Sequence, residues 1–285
     1  MSELLSAAST AEDPQVYVRR HARVIEEFGH LTQDSGNVSW LVDVGDRRLF
    51  VKSAGDDSPP RPGAAVPYLD HEGRVALLRN AIELASSCRH PALPRLLNVI
   101  ESPQGPARVY EAAPGELVGV PRHSRSDPSS AYQRFAHLPA DELLGVFDVL
   151  IDLHVALAAA GWVACDLYDG CLILDFSTTT LTVVDLDSYR RGPSRNDMGR
   201  MFGATRFMAP EEFELGAVID ERTTTYTLAR LVWHFGTRLT ERAEDFCGPP
   251  SLAGVVQQAC RPSPADRYAG VASFAQAWTT ARGLP

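Results

Sequence analysis

The stretch from Asn37 to Ala54 constrains this chain more than any other. NVSWLVDVG and RRLFVKSA are strand-like runs that meet at Gly45-Asp46. A Gly-Asp pair between two such runs signals an antiparallel hairpin with a tight turn. A second pair of strand-like runs, LLNVIES and ARVYEAA, is joined by Pro103-Gln104-Gly105. Between the pairs lies HEGRVALLRNAIELASS, a long helical pattern that stops before His90-Pro91. The first third therefore predicts an antiparallel sheet with one main helix.

The remainder reads differently. After the turn at Pro114-Gly115, residues 118–140 are polar and contain proline, as an ordered insertion or loop would be. Residues 141–160 are apolar except at 141, 142, 148 and 152 and near His154, the pattern of a mostly buried helix. CLILDF and LTVVDLD are short strands bracketing residues 177–180, and helical pattern dominates beyond, including 225–235 and 271–281. Upstream, Asp13-Pro14 followed by QVYVRRHARVIEEF reads as a capped helix with Pro at its first position, ending at Gly29. The expected organisation is α+β: a helical extension over 1–29, a strand-rich lobe over 30–112 and a mostly helical lobe over 113–285. No internal repeat is visible.

Composition removes several classes of function. The 285 residues are 45% hydrophobic and 22% charged, enough for a sizeable core. A formal net charge of −9 gives no basic face for nucleic acid, and RRHAR at 19–23 reads as one solvated helix face. Five cysteines, at 88, 165, 171, 247 and 260, show no CxxC pair, which predicts a reducing compartment without disulfides or zinc. The first residues have no signal-peptide pattern, and the most apolar window, 143–160, is broken by Asp148, Asp152 and His154. The expectation is a cytoplasmic chain with no membrane partner.

Five short segments carry chemistry in a telling order. They are LFVK with Lys52, YEAAPGEL at 110–117, VACDLYDGC with Asp166, VVDLDSY with Asp185 and GATRFMAPEEF at 203–213. In this order the chain resembles the protein-kinase superfamily over residues 30–282. The resemblance implies a bilobal kinase-like fold, ATP with Mg²⁺ or Mn²⁺ as cofactors, and transfer of the γ-phosphate to a hydroxyl of a protein or a small molecule. Lys52 would meet the α/β-phosphates, because phosphoryl transfer is mostly positioning and charge neutralisation. Tyr110 would be the gatekeeper, with the Glu111 carbonyl and the Ala113 amide facing adenine. Asp166 would orient the acceptor hydroxyl and take its proton, and Asp185 would hold the metal. Glu211 would pair with Arg267 of SPADRY, holding the shelf on which a peptide lies.

The departures are equally specific. Cys171 stands where the family has a metal-binding Asn, and a thiol suits Mg²⁺ poorly. Asp187 or Asp169 is the expected compensation, although Asp187 can equally open a turn. Ala164 and Cys165 replace the His-Arg before the catalytic Asp, Ala204 replaces the shelf Thr, and Thr224 stands where the helix Asp is expected. The glycine-rich loop is absent. Ser35-Gly36-Asn37 stands in its place, either a phosphate-contacting loop like that of small-molecule kinases or a hairpin turn. The helix partner of Lys52 is assigned to Glu83, with Asn80 the nearest polar alternative. Three functions follow: a Ser/Thr-protein-kinase-like enzyme, a small-molecule kinase, and a pseudokinase serving as nucleotide-binding or scaffold module. An open shelf along 188–208 would favour the first, and an acidic pocket built by 118–140 the second.

Overall fold

A computed structural model of the chain describes residues 2–29, 35–58 and 66–284. The chain divides into two compact units, Met1–Ser87 with Pro94–Ala113, and Cys88–Leu93 with Pro114–Pro285. It is α+β, with eight α-helices among the described residues and antiparallel sheets.

The first unit opens with α1 (Glu3–Ser6) and α2 (Pro14–His21). Asp13 caps α2, its carboxylate accepting the Gln15 N–H at 2.7 Å, with Pro14 in the first turn where no N–H is needed. The helix expected to run to Gly29 stops at His21. Arg23–Phe28 is instead strand β1, paired antiparallel with β2 (Val38–Val44). The helical reading of 1–29 is thus corrected: β-branched Val24-Ile25 and a vacant edge of β2 outweigh the helical preference of the neighbouring charged residues. Trp40 Nε1 donates to Glu27 at 2.9 Å across that edge.

The predicted hairpin is present, β2 turning through Gly45-Asp46 into β3 (Arg47–Ser53), with Gly45 at φ +63. The predicted helix is α3 (His71–Ser87), and β4 (Leu96–Ser102) and β5 (Gly105–Glu111) complete the sheet in the order β1-β2-β3-β5-β4. Period-2 alternation gives the sheet two distinct faces. Trp40, Val42, Leu49, Val51, Ile100 and Val109 form one, buried against Leu4, Tyr17 and Val18 of α1 and α2. Ser39, Phe50, Lys52, Arg108 and Tyr110 alternate onto the other.

The second unit contains β6 (Glu116–Leu117), α4 (Ala131–Ala136), α5 (Ala140–Ala159), β7 (Trp162–Val163), β8 (Leu172–Asp175) and β9 (Thr180–Val183). There follow β10 (Arg190–Arg191), β11 (Ser194–Arg195), β12 (Val218–Ile219), α6 (Glu221–Gly236), α7 (Pro250–Ala259) and α8 (Val271–Arg282). β8 and β9 are the predicted hairpin, with β6 added at its edge. α5 is buried along most of its length, as its apolar pattern requires, and its polar breaks are used. Asp148 accepts from Trp278 Nε1 at 2.6 Å and from Arg282 at 2.9 Å, fastening α8. No helix among the described residues is long and apolar enough to cross a membrane.

Candidate functional site

In the second unit, Asp166, Asp169, Cys171, Asp185 and Asp187 lie on two segments joined by the β8–β9 hairpin. The Val184 N–H donates to the Cys171 carbonyl at 2.8 Å, which stitches the segment before β8 to the one after β9. Asp166 is half-buried and Asp185 exposed. Both adopt left-handed backbone conformations, with φ of 60 and 61. Asp tolerates this region better than most residues, but the conformation still costs energy and persists only where the surroundings impose it.

Cys171 supplies part of that constraint. Its buried thiol donates to the Asp166 carbonyl at 3.3 Å. Burial pushes the thiol well above its ordinary range, and the Asp166 and Asp185 carboxylates push the same way. The group is a protonated hydrogen-bond donor that braces the loop. Ala164, where the resemblance expects His, donates its N–H to Thr224 Oγ1 at 2.9 Å. Thr224, where the resemblance expects Asp, thus accepts a main-chain bond from the loop. His154 is a core group, its Nδ1–H donating to the Leu150 carbonyl and its Nε2 accepting from Tyr189 Oη, each at 2.8 Å. Burial first, then nearby His90, pulls it down to about 4, against one hydrogen bond that raises it.

The expected pairing of Glu211 with Arg267 is present as a buried two-pronged ion pair, with N–O distances of 2.6 and 2.9 Å. Thr223 Oγ1 also donates to Glu211, at 2.8 Å. Arg267 donates further to the carbonyls of Arg222, Arg261 and Pro262. These bonds tie the 3-10 turn Pro210–Phe213 to the start of α6. The segment before that turn passes close to Asp166. A side chain at Gly203, whose φ is +133, would place its Cβ 3.7 Å from Asp166 Oδ1. Main chain of the GATRFMAPEEF stretch therefore passes beside the Asp166 carboxylate.

The metal assignments fare unequally. Asp169 is buried in an ion pair with Arg206. Its charge is already met by a guanidinium, and it does not suit the role of compensating ligand. Asp187 is buried beside exposed Asp185 in sequence. Among the described residues, no three His, Cys, Asp or Glu side chains come together as a metal cluster. Mg²⁺ is commonly held by one or two carboxylates with phosphate and water, so Asp185 and Asp187 are chemically adequate donors, whereas the Cys171 thiol is not.

In the first unit, Lys52 stands on β3, opposite Ser39 on one neighbour and Arg108 on the other. Ser35-Gly36-Asn37 leads into β2, and the residues just before it lie outside the described ones. Gly36 has φ +77, and a Cβ there would come within 2.6 Å of Pro67 and 3.2 Å of the Arg74 side chain. Packing alone therefore requires this glycine, which strengthens the turn reading. Glu83 is exposed, on the side of α3 away from buried Arg74, Leu78, Ala81 and Leu84. Glu111 ends β5, with its N–H on the Arg95 carbonyl at 3.0 Å and its carboxylate 3.6 Å from Arg47 and 3.7 Å from Arg95. Ala113 closes this unit.

Residues 118–140 do not build an acidic pocket. Tyr132 and Phe135 of α4 pack edge-on against Phe235 of α6, at 5.3 and 4.8 Å between ring centres. The charged residues are mainly Arg122, Arg125 and Arg134. An open groove of about 610 Å³ between α7 and α8, lined by Ser251, Val255 and Gln276 among others, contains none of the candidate residues. Two side chains of consequence escaped the sequence reading. Arg108 sits in an otherwise apolar strand, and only its period-2 position opposite Lys52 signals it. Arg206 follows Thr205, and nothing local to it indicates Asp169. The chain matches no family model, and it matches no curated protein.

Proposed function

We propose that the chain is an ATP-dependent phosphotransferase of the bilobal protein-kinase-like type, acting on a hydroxyl of a protein. The observation that carries this reading is the pair of aspartates, Asp166 and Asp185, held in left-handed conformations on segments stitched by the Val184–Cys171 bond. Strained conformations cluster where function needs a fixed geometry. The Glu211–Arg267 tie and the main chain beside Asp166 support a protein acceptor over a small molecule, and the basic, packed-down 118–140 segment supports it further.

In this reading Asp166 orients the acceptor hydroxyl and takes its proton, a role worth about 10²–10⁴ in rate. Lys52 neutralises phosphate charge from the first unit. Asp185, with Asp187, would hold Mg²⁺, which when bound would offset phosphate charge. Calorimetric titration of ATP with and without Mg²⁺ or Mn²⁺, alongside a turnover assay, tests it. Asp166→Asn is expected to abolish turnover with nucleotide affinity nearly intact, while Asp185→Asn weakens the metal-dependent part of binding. Full turnover in Asp166→Asn would sink the catalytic assignment.

A second reading has its own observation. Cys171 is a protonated thiol and Asp169 is neutralised by Arg206, so of the two carboxylates expected to compensate for the missing Asn only Asp187 remains. Binding of nucleotide without metal dependence or turnover would favour a pseudokinase that binds nucleotide or serves as a scaffold.

A further inference from the structure

A buried ion pair ties the segment that contains Asp166 to the segment that passes beside it. Asp169, shortly after Asp166 in the chain, is 1% exposed and pairs with Arg206 Nη2. The main chain around Asp169 is itself pinned. Its carbonyl accepts the Gly119 N–H at 2.9 Å, and the Cys171 N–H closes a turn onto the Tyr168 carbonyl at 2.9 Å. The ion pair is thus a fixed point between Asp166 and the Cys171 thiol that bonds back to the Asp166 carbonyl.

Arg206 is anchored from the other side. Its carbonyl accepts from Arg230 Nε at 3.3 Å, and Arg230 Nη2 donates to Glu241 at 3.1 Å. Glu241 is also 2.6 Å from His234 Nδ1, and the other ring nitrogen of His234 lies 2.5 Å from Tyr132 Oη. A chain of polar contacts therefore runs from α4 and α6 through Arg206 to Asp169. The guanidinium is turned towards the carboxylate even though its Nε is left buried and without a hydrogen bond among the described residues. The ion pair, not general satisfaction of donors, sets the orientation of this side chain.

Two properties of the pair bear on Asp166. A buried ion pair that loses one partner leaves a costly uncompensated charge, so Asp169 and Arg206 stay together in the folded chain. Asp166 itself is left-handed, a conformation that persists only where the surroundings impose it. The Cys171 thiol constrains its carbonyl, and the Arg206 pair constrains the turn that follows.

We propose that Arg206 is a positioning residue: through Asp169 it holds the turn that sets Asp166 against the Gly203 main chain. For its effect on turnover this rests on the phosphotransferase reading given above, and it adds how that site is kept assembled. Both charges belong to the chain, so the tie needs no added group to form.

The test compares the natural chain with Arg206→Met, Arg206→Lys and a double variant, Asp169→Asn with Arg206→Met. Amide hydrogen exchange over residues 166–171 is read by mass spectrometry, alongside kcat and KM for Mg²⁺-dependent ATP turnover. Arg206→Met is expected to speed exchange there by about tenfold to a hundredfold, the worth of one charged hydrogen bond. It should lower kcat over a similar range with KM for ATP unchanged. Arg206→Lys, which keeps the charge, should recover most of both. The double variant removes the carboxylate charge along with the guanidinium, so its unfolding midpoint should return towards that of the natural chain. Its exchange and its kcat should not. That separation distinguishes positioning from a contribution to stability alone, and the double variant carries the test if Arg206→Met fails to fold. Natural rates of exchange over 166–171 in the folded double variant would overturn the inference. Faster exchange with an unchanged kcat would also overturn the positioning role, leaving the phosphotransferase reading intact. Faster exchange in the variants of a chain that turns over no ATP would support the tie and remove that reading.

Discussion

At the scale of single residues, the candidate site divides into what side-chain chemistry announces and what only packing reveals. Asp166 and Asp185 stand out as candidates because each sits at a fixed offset from other motif residues. The assignment of Glu83 rests on helical spacing alone, and the buried face of α3 runs through Arg74, Leu78, Ala81 and Leu84. Cys171 shows the converse. As a sequence position it is only a poor Mg²⁺ ligand, but burial, with the neighbouring carboxylates, holds it in the thiol form, and its hydrogen is committed to the Asp166 carbonyl. Cys165 is buried too, and its surroundings push it up to about 12. Since the thiolate is the reactive form, iodoacetamide at pH 8 should leave both unmodified in the native protein and label both in guanidinium. Peptide mapping by mass spectrometry distinguishes the states. Rapid native labelling of Cys171 would mean that the loop opens and that the brace is not maintained.

At the scale of elements, the 3-10 turn Pro210–Phe213 concentrates buried charge. Glu211 is neutralised by Arg267, whereas its neighbour Glu212 is buried and accepts the Ala209 N–H at 2.6 Å. Burial pushes Glu212 up to about 8, with Glu211 and Asp166 adding to the rise and the Ala209 bond opposing it. The folded chain therefore keeps a proton on Glu212 that the unfolded chain releases above the ordinary value of 4.5. Its stabilising contribution is complete below that value and is lost as pH rises towards 8. His154 acts in the opposite sense, binding a proton more weakly when folded, so its contribution is complete above 6.5 and is lost as pH falls towards 4. Between 6.5 and 8 only the Glu212 effect of the two remains. Urea unfolding should show the natural protein losing stability across that interval relative to Glu212→Gln, by at most about 1.4 kcal/mol per pH unit. Parallel pH profiles would show that Glu212 is ionised in the folded state. The variant keeps an oxygen for the Ala209 N–H, so the comparison isolates the proton.

At the scale of the whole molecule, the elements that were legible are those whose pattern is self-sufficient. The β2–β3 hairpin has its own turn residues, α3 and α5 have long amphipathic or apolar patterns, and β8–β9 is a short local pair. The misread elements derive their state from distant chain. β1 is a strand because β2 offers an edge, and α4 is placed by Phe235 about a hundred residues later in sequence. α1 is the extreme case, four residues that could not stay helical alone because a helix nucleus costs more than one turn returns. What holds it is Leu4, fully buried against the sheet face that includes Trp40 and Val51, together with the Asn98 side chain, which donates to the Leu4 and Ala7 carbonyls at 3.1 and 2.8 Å. If this contact is part of the core, Leu4→Ala should cost about 2–5 kcal/mol, the range for truncating a buried leucine. Asn98→Ala, which removes two bonds but no apolar area, should cost less, about 1–3 kcal/mol. Denaturant unfolding of both variants measures the order as well as the sizes. A loss below about 0.5 kcal/mol for Leu4→Ala, the range of surface changes, would mean that the sheet face closes without α1 and that the N-terminal residues are an attachment to the first unit, not a component of its core.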